Sequence, residues 1–132
     1  MTGAGMGTHW GRTVVLVHDY DEAIAFYRDG FGFEVLFDEP GEGGFRLLHL
    51  GTGGETGLWL MRVLPGDEHL VGAQTGGHPL GVVYVDDRDA ALSRLASIGT
   101  LPAQPPGAGA GSRWAHVHDL YGNQIVLVQL FT

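Results

Sequence analysis

Apolar and polar positions follow the same order twice along this chain: a strand, a helix, then further strands. The first apolar run, Thr13-Val14-Val15-Leu16-Val17, is β-branched and bounded by polar residues, which predicts a strand buried on both faces. Asp19-Tyr20-Asp21-Glu22 follows. An Asp with a Glu three residues later is a capping-box pattern: Asp19 receives amide hydrogens, Glu22 reaches back, and a helix is expected to start near Asp21. Ala23, Ile24, Phe26, Tyr27 and Phe31 keep three- and four-residue spacing, and Gly30 and Gly32 supply the expected stop. Residues 33–38, 45–50 and 57–63 then read as strands separated by the Gly-rich stretches 41–44 and 51–57.

Residues 64–77 contain Pro65-Gly66 and Gly76-Gly77 and read as a linker. After them the order repeats. Residues 80–85 form a strand, Asp86-Asp87 offers a cap, and Ala90, Ala91, Leu92, Leu95 and Ile98 make the inner stripe of a helix ended by Gly99. A weak strand is expected over 101–103, a loop over 105–111, and strands over 113–118 and 124–131 joined by the turn Tyr121-Gly122-Asn123. An offset near 68 pairs Val14 with Val82, Asp19 with Asp87 and Ile24 with Leu92, and an offset of 67 pairs Leu58-Trp59-Leu60 with Ile125-Val126-Leu127. The fold class is therefore α+β, with two tandem βαβββ modules, 12–63 and 78–131, inside one domain spanning 1–132. Each module is far below the size of an independent domain and must cover its apolar sheet face with a partner, so a homodimer is expected.

Composition narrows the chemistry. With no Cys, disulfides, thiolate nucleophiles and Cys-ligated metals are excluded. Gly reaches 23 of 132 residues against 6 Pro, and the Gly residues lie between apolar runs, as many short elements require. Seven Arg, with no Lys, face 15 acidic residues for a net charge of −8, and no Arg sits beside another. Nucleic acid is thereby an unexpected partner, whereas a cationic small molecule would be attracted. No apolar run approaches the ~18 residues of a membrane span, and the N-terminal stretch lacks a basic region followed by an apolar one. A cytoplasmic protein without membrane partners is expected.

Val17-His18-Asp19-Tyr20-Asp21-Glu22-Ala23-Ile24-Ala25-Phe26-Tyr27, followed by Gly30-Phe31-Gly32-Phe33, resembles the first-module signature of the vicinal oxygen chelate superfamily. That superfamily holds glyoxalase I, bleomycin resistance proteins, fosfomycin resistance enzymes and extradiol dioxygenases. Val117-His118-Asp119-Leu120-Tyr121-Gly122-Asn123-Gln124-Ile125-Val126-Leu127 is similar to its second-module signature. The resemblance implies a curved mixed sheet around a cleft. It also implies metal ligands, in the metal-dependent members, at positions that here carry Arg12, Trp59, Leu80 (or Pro79) and Val126. Arg stays protonated, and Trp, Leu and Val have no lone pair for a divalent metal, so no cofactor is expected there.

In that register, alternation places Arg12, Val14 and Leu16 on the cleft face, with Trp59, Met61, Leu80, Val82, Tyr84, Gln124, Val126 and Val128. An apolar and aromatic lining with the polar handles Arg12, Tyr84 and Gln124 is the composition of a small-molecule pocket, and Trp114 is a further stacking candidate. The expected function is binding of a planar or apolar ligand, a cationic one included, without chemistry, as bleomycin resistance proteins do. Two alternatives stand beside it. His116 and His118, about 6.6 Å apart on one strand face, would hold a divalent metal with His49 or Glu34, giving a lyase, isomerase or dioxygenase. The other is a structural subunit whose cleft is filled. His18 beside Asp19 reads as a strand-end residue, His78 as a solvated one, and the Gly-rich loops 41–44 and 107–111 as candidate flaps.

Overall fold

The computed structural model describes residues 6–54 and 56–131. The elements are β1 (Arg12–Val17), α1 (Tyr20–Phe31), β2 (Glu34–Pro40), β3 (Arg46–Gly51), β4 (Gly57–Arg62), β5 (Pro79–Tyr84), α2 (Arg88–Ala96), β6 (Gly107–Ala108), β7 (Ser112–His118) and β8 (Gln124–Leu130). They form two four-stranded mixed sheets, β1-β4-β3-β2 and β5-β8-β7-β6, in which the β1–β4 and β5–β8 pairs are parallel and the others antiparallel. The two halves thus share one topology, the tandem βαβββ fold.

Asp19 caps α1 by accepting from the Glu22 N–H at 2.9 Å. The other half of the expected capping box is rebuilt across the molecule. The Tyr121 hydroxyl donates to Glu22 Oε1 at 2.6 Å and accepts from the Asp19 N–H at 3.1 Å, taking the place Glu22 would have had. At the other end Gly32, at φ 74°, closes α1 with hydrogen bonds from Gly32 N–H to Arg28 O and from Phe33 N–H to Tyr27 O, a Schellman arrangement. Gly30 is not a stop. It lies inside α1 where α2 crosses, and a Cβ there would stand 2.9 Å from Leu95 Cδ2.

The helix side of each sheet faces a single core. Val15, Val17, Leu48, Leu50 and Leu60 of the first sheet join Val117, Ile125 and Leu127 of the second, with Tyr27 and Leu95 between them. In α2 only Leu95 is fully buried, and Ala90 and Ile98, expected on the inner stripe, are exposed. Residues 101–103 do not form a strand; Ala103 N–H makes one hydrogen bond to His116 O, and the edge strand is the two-residue β6. Pro105 and Pro106, lacking N–H groups, prevent an earlier start. Residues 64–77 are more than a linker. The Gln74 amide accepts from Leu16 N–H at 2.9 Å and donates to Val14 O at 2.8 Å, so one side chain occupies the free edge of β1 as a strand would.

Candidate functional site

Because both helix sides turn toward the common core, the other face of each sheet points outward. Strand register shows what these open faces carry. In the first sheet Val14 (β1), Trp59 (β4), His49 (β3) and Phe37 (β2) lie in one row across the strands. Arg12, Leu16 and Met61 flank that row by alternation along β1 and β4. In the second sheet Val82, Val126 and His116 form one row, Tyr84, Val128 and Trp114 the next, and Gln124 lies opposite His118. Arg12, Val14, Trp59, Met61, Tyr84, Trp114, Gln124 and Val126 therefore sit on the open faces where alternation expects them.

Leu80 does not. A bulge between Pro79 and Gly81 leaves Pro79 opposite Gln124 and Gly81 opposite Ile125, and the extra residue Leu80 packs against the core. Trp114 is held by its own sheet: a Cβ at Gly107 would overlap its ring, and one at Gly109 would meet it at 3.4 Å. The stretch 107–111 is thus partly strand and, at Gly107 and Gly109, a bed for Trp114.

Two hollows border these surfaces. One, of about 310 Å³, lies on the open face of the first sheet under residues 64–70 and is lined by Leu16, Leu47, Trp59, Met61, Leu64 and Leu70. The other, of about 410 Å³, lies at the seam between the halves among Thr13, Phe33, Leu58, Leu80, Val83 and Tyr84. Exposed apolar side chains continue the open faces beyond the hollows, including Phe37 at 44% and Val14 at 37%. The roles of Phe37, Leu64, Leu70 and Gln74 were not predicted; the apolar Leu64 and Leu70 inside a Gly-rich stretch were the available signal.

His49 is the polar centre of the first row. Its ring lies 4.9 Å from Trp59 and 5.7 Å from Phe37 between centroids, and among the described residues its buried Nε2 has no hydrogen-bond partner. Burial, and then the Arg12 charge, lower its pKa and favour the neutral ring. The unfolded chain takes up a proton at this position at higher pH than the native fold does. Stability linked to His49 is therefore present above the ordinary His range and is lost as pH falls from about 6.5 toward the lowered native value. His49→Phe is expected to reduce the fall in melting temperature between about pH 7.5 and 5.5. An unchanged pH dependence in thermal melts would contradict this.

Within one chain, the His-based metal set that stood as an alternative does not form. Among the described residues no three His, Asp or Glu side chains are grouped to hold a metal. His49 and Glu34 belong to the first sheet and His116 and His118 to the second, with the shared core between them. The positions that carry ligands in metal-dependent members hold Arg12, Trp59, a displaced Leu80 and Val126, whose chemistry does not fit a divalent cation. His18 packs edge-on against Tyr121 at 5.2 Å, and His78 is exposed beside Thr75.

The model of the glyoxalase/bleomycin resistance protein/dioxygenase superfamily matches residues 9–127. An uncharacterized protein of Shewanella frigidimarina (strain NCIMB 400) is 32% identical over 120 residues, covering 88% of this chain and 89% of that one. Among solved structures, UcmS2 has a TM-score of 0.78 at 28% identity, covering 93% of this chain and 98% of its own. TnmS3, described as an antibiotic binding protein from Streptomyces sp. CB03234, has a TM-score of 0.69 at 28% identity, covering 96% and 100%. No helix among the described residues is long and apolar enough to cross a membrane. With the tandem βαβββ topology, these matches establish that the chain belongs to the glyoxalase/bleomycin resistance protein/dioxygenase superfamily.

Proposed function

We propose that this protein binds a planar, largely apolar small molecule in a cleft made by its open sheet faces, without metal chemistry at the superfamily's usual positions. The observation that carries this reading is the pair of outward rows, Val14-Trp59-His49-Phe37 and Tyr84-Val128-Trp114, in which aromatic rings and β-branched side chains are exposed or half-buried around a few polar atoms. Flat aromatic surface between such rows gains burial and stacking together. Similarity to TnmS3, described as an antibiotic binding protein, supports a small-molecule ligand. The net charge of −8 favours a cationic member of that class.

One chain turns its two open faces away from each other. The reading therefore includes a homodimer in which the first sheet of one copy faces the second sheet of the other, so that twofold symmetry makes two equivalent clefts. Sedimentation is expected to give twice the chain mass, and a monomer at all concentrations would refute that part. For binding, a panel of planar aromatic antibiotics, neutral and cationic, is titrated while Trp fluorescence and melting temperature are followed. Quenching together with a rise in melting temperature is expected for at least one of them. No response across the panel would refute the reading.

A further inference from the structure

His49 and His116 stand 67 residues apart, the offset that also relates Trp59 to Val126, and each lies opposite that partner in its own sheet. The equivalence ends two residues before Val126. The second sheet has Gln124 where the first has Gly57, so His116 has an amide beside it and His49 has none.

That amide has only one orientation available. Gln124 Nε2 donates to the Gly77 carbonyl at 3.0 Å. A carbonyl only accepts, so the Gln124 Oε1 is the atom turned toward His116, where Nδ1 stands 2.6 Å away. An amide oxygen cannot donate, and His116 Nδ1 must therefore carry the proton of this hydrogen bond. The neutral ring has one N–H, which leaves Nε2 as a bare lone pair. No second hydrogen bond holds the His116 ring among the described residues, and it shares its face with Trp114, Val126 and Val82.

We propose that His116 Nε2 is a hydrogen-bond acceptor for the ligand, with Gln124 and the Gly77 carbonyl as the groups that set its tautomer. The ligand class is thereby a planar aromatic compound carrying a hydroxyl on its edge. A phenolic O–H donates a hydrogen bond to Nε2, whereas an ether or a carbonyl at the same position meets a lone pair with a lone pair. The proposal rests on the reading of the open faces as the ligand site, and it adds the donor that the ligand must bring.

Two measurements test it. In the free protein, a long-range ¹H–¹⁵N spectrum of the His rings above the His titration range is expected to show a protonated Nδ1 and a bare Nε2 for His116. Gln124→Leu is expected to redistribute the proton between the two nitrogens. A proton found on Nε2 in the unaltered protein overturns the proposal whatever binds.

For the ligand class, 2-naphthol and 2-methoxynaphthalene are compared by calorimetry. The hydroxyl compound is expected to bind about tenfold more tightly, the equivalent of one net hydrogen bond. That preference should disappear in His116→Phe and shrink in Gln124→Leu, each first shown to be folded by circular dichroism. Equal binding of the two probes overturns the proposal and leaves the apolar cleft standing. A preference that survives in His116→Phe also overturns it. Failure of both probes to bind overturns it together with the cleft.

Discussion

Asp119→Ala is expected to destabilise the protein by about 3–5 kcal/mol, the summed scale of several buried donors left without an acceptor. Asp119 is 6% exposed and accepts four hydrogen bonds: from the Tyr27 hydroxyl at 2.6 Å, and from Tyr121 N–H, Asn123 N–H and Asn123 Nδ2 at 2.9 Å. Tyr27 belongs to the first half of the chain and the other donors to the turn after β7, so this carboxylate ties the halves together through the core. Burial, followed by the Asp119 charge, raises the Tyr27 pKa well above the usual phenol value and keeps the hydroxyl a donor. Alanine leaves those donors without an acceptor in a space closed to water. Urea denaturation should show the loss as a lower midpoint, with Asp119→Asn losing less because its side-chain oxygen still accepts. A loss for Asp119→Ala below about 1 kcal/mol, the scale of an ordinary hydrogen bond, would contradict this reading.

The second large effect concerns binding. Trp59→Ala is expected to weaken the tightest planar ligand of the antibiotic panel by about 10- to 100-fold, the scale of a central aromatic anchor at an interface. Trp59 sits between Val14 and His49 in the row across the first sheet and also lines the hollow under residues 64–70. Removing its ring takes away stacking area and opens the floor beneath a bound molecule. Trp10→Phe is the matched control, since Trp10 is 75% exposed and outside both sheets. Calorimetry avoids the loss of fluorescence signal. Equal affinity of Trp59→Ala and the unaltered chain would place the ligand elsewhere.

The tandem fold was legible because its signals are local and occur twice. Val14 with Val82 and Trp59 with Val126 announce the repeat, and Asp19 and Asp87 announce both helix starts. Each Asp accepts from the amide three residues on, as its spacing requires. What escaped depends on partners far away in sequence. Gly30 and Gly32 look alike as helix stops, but only Gly32 takes a positive φ; Gly30 is small because Leu95 of the other half crosses there. Glu22 has the spacing of a capping box, yet Tyr121, 99 residues later, takes its place.

The site was partly legible for the same reason. Period-two alternation put Trp59, Met61, Tyr84 and Val126 on the open faces, and it failed at Leu80 because a bulge adds one residue and ends the alternation. His49 and His116 fall at the repeat offset in the bare sequence. Which of them has an oriented ring became visible only with Gln124 and Gly77, because a hydrogen bond to a backbone carbonyl leaves no residue pattern. Gln74, pairing with β1 through its side chain, is invisible to pattern for the same reason.

The most direct test of the central claim is a crystal structure with the tightest ligand of the panel. The expected result is a flat molecule between Trp59 and His49 of one copy and Trp114 and His116 of its partner, with the ring hydroxyl on His116 Nε2. Density confined to the seam cavity of about 410 Å³ around Thr13, Phe33 and Val83, with the open faces bare, would contradict it.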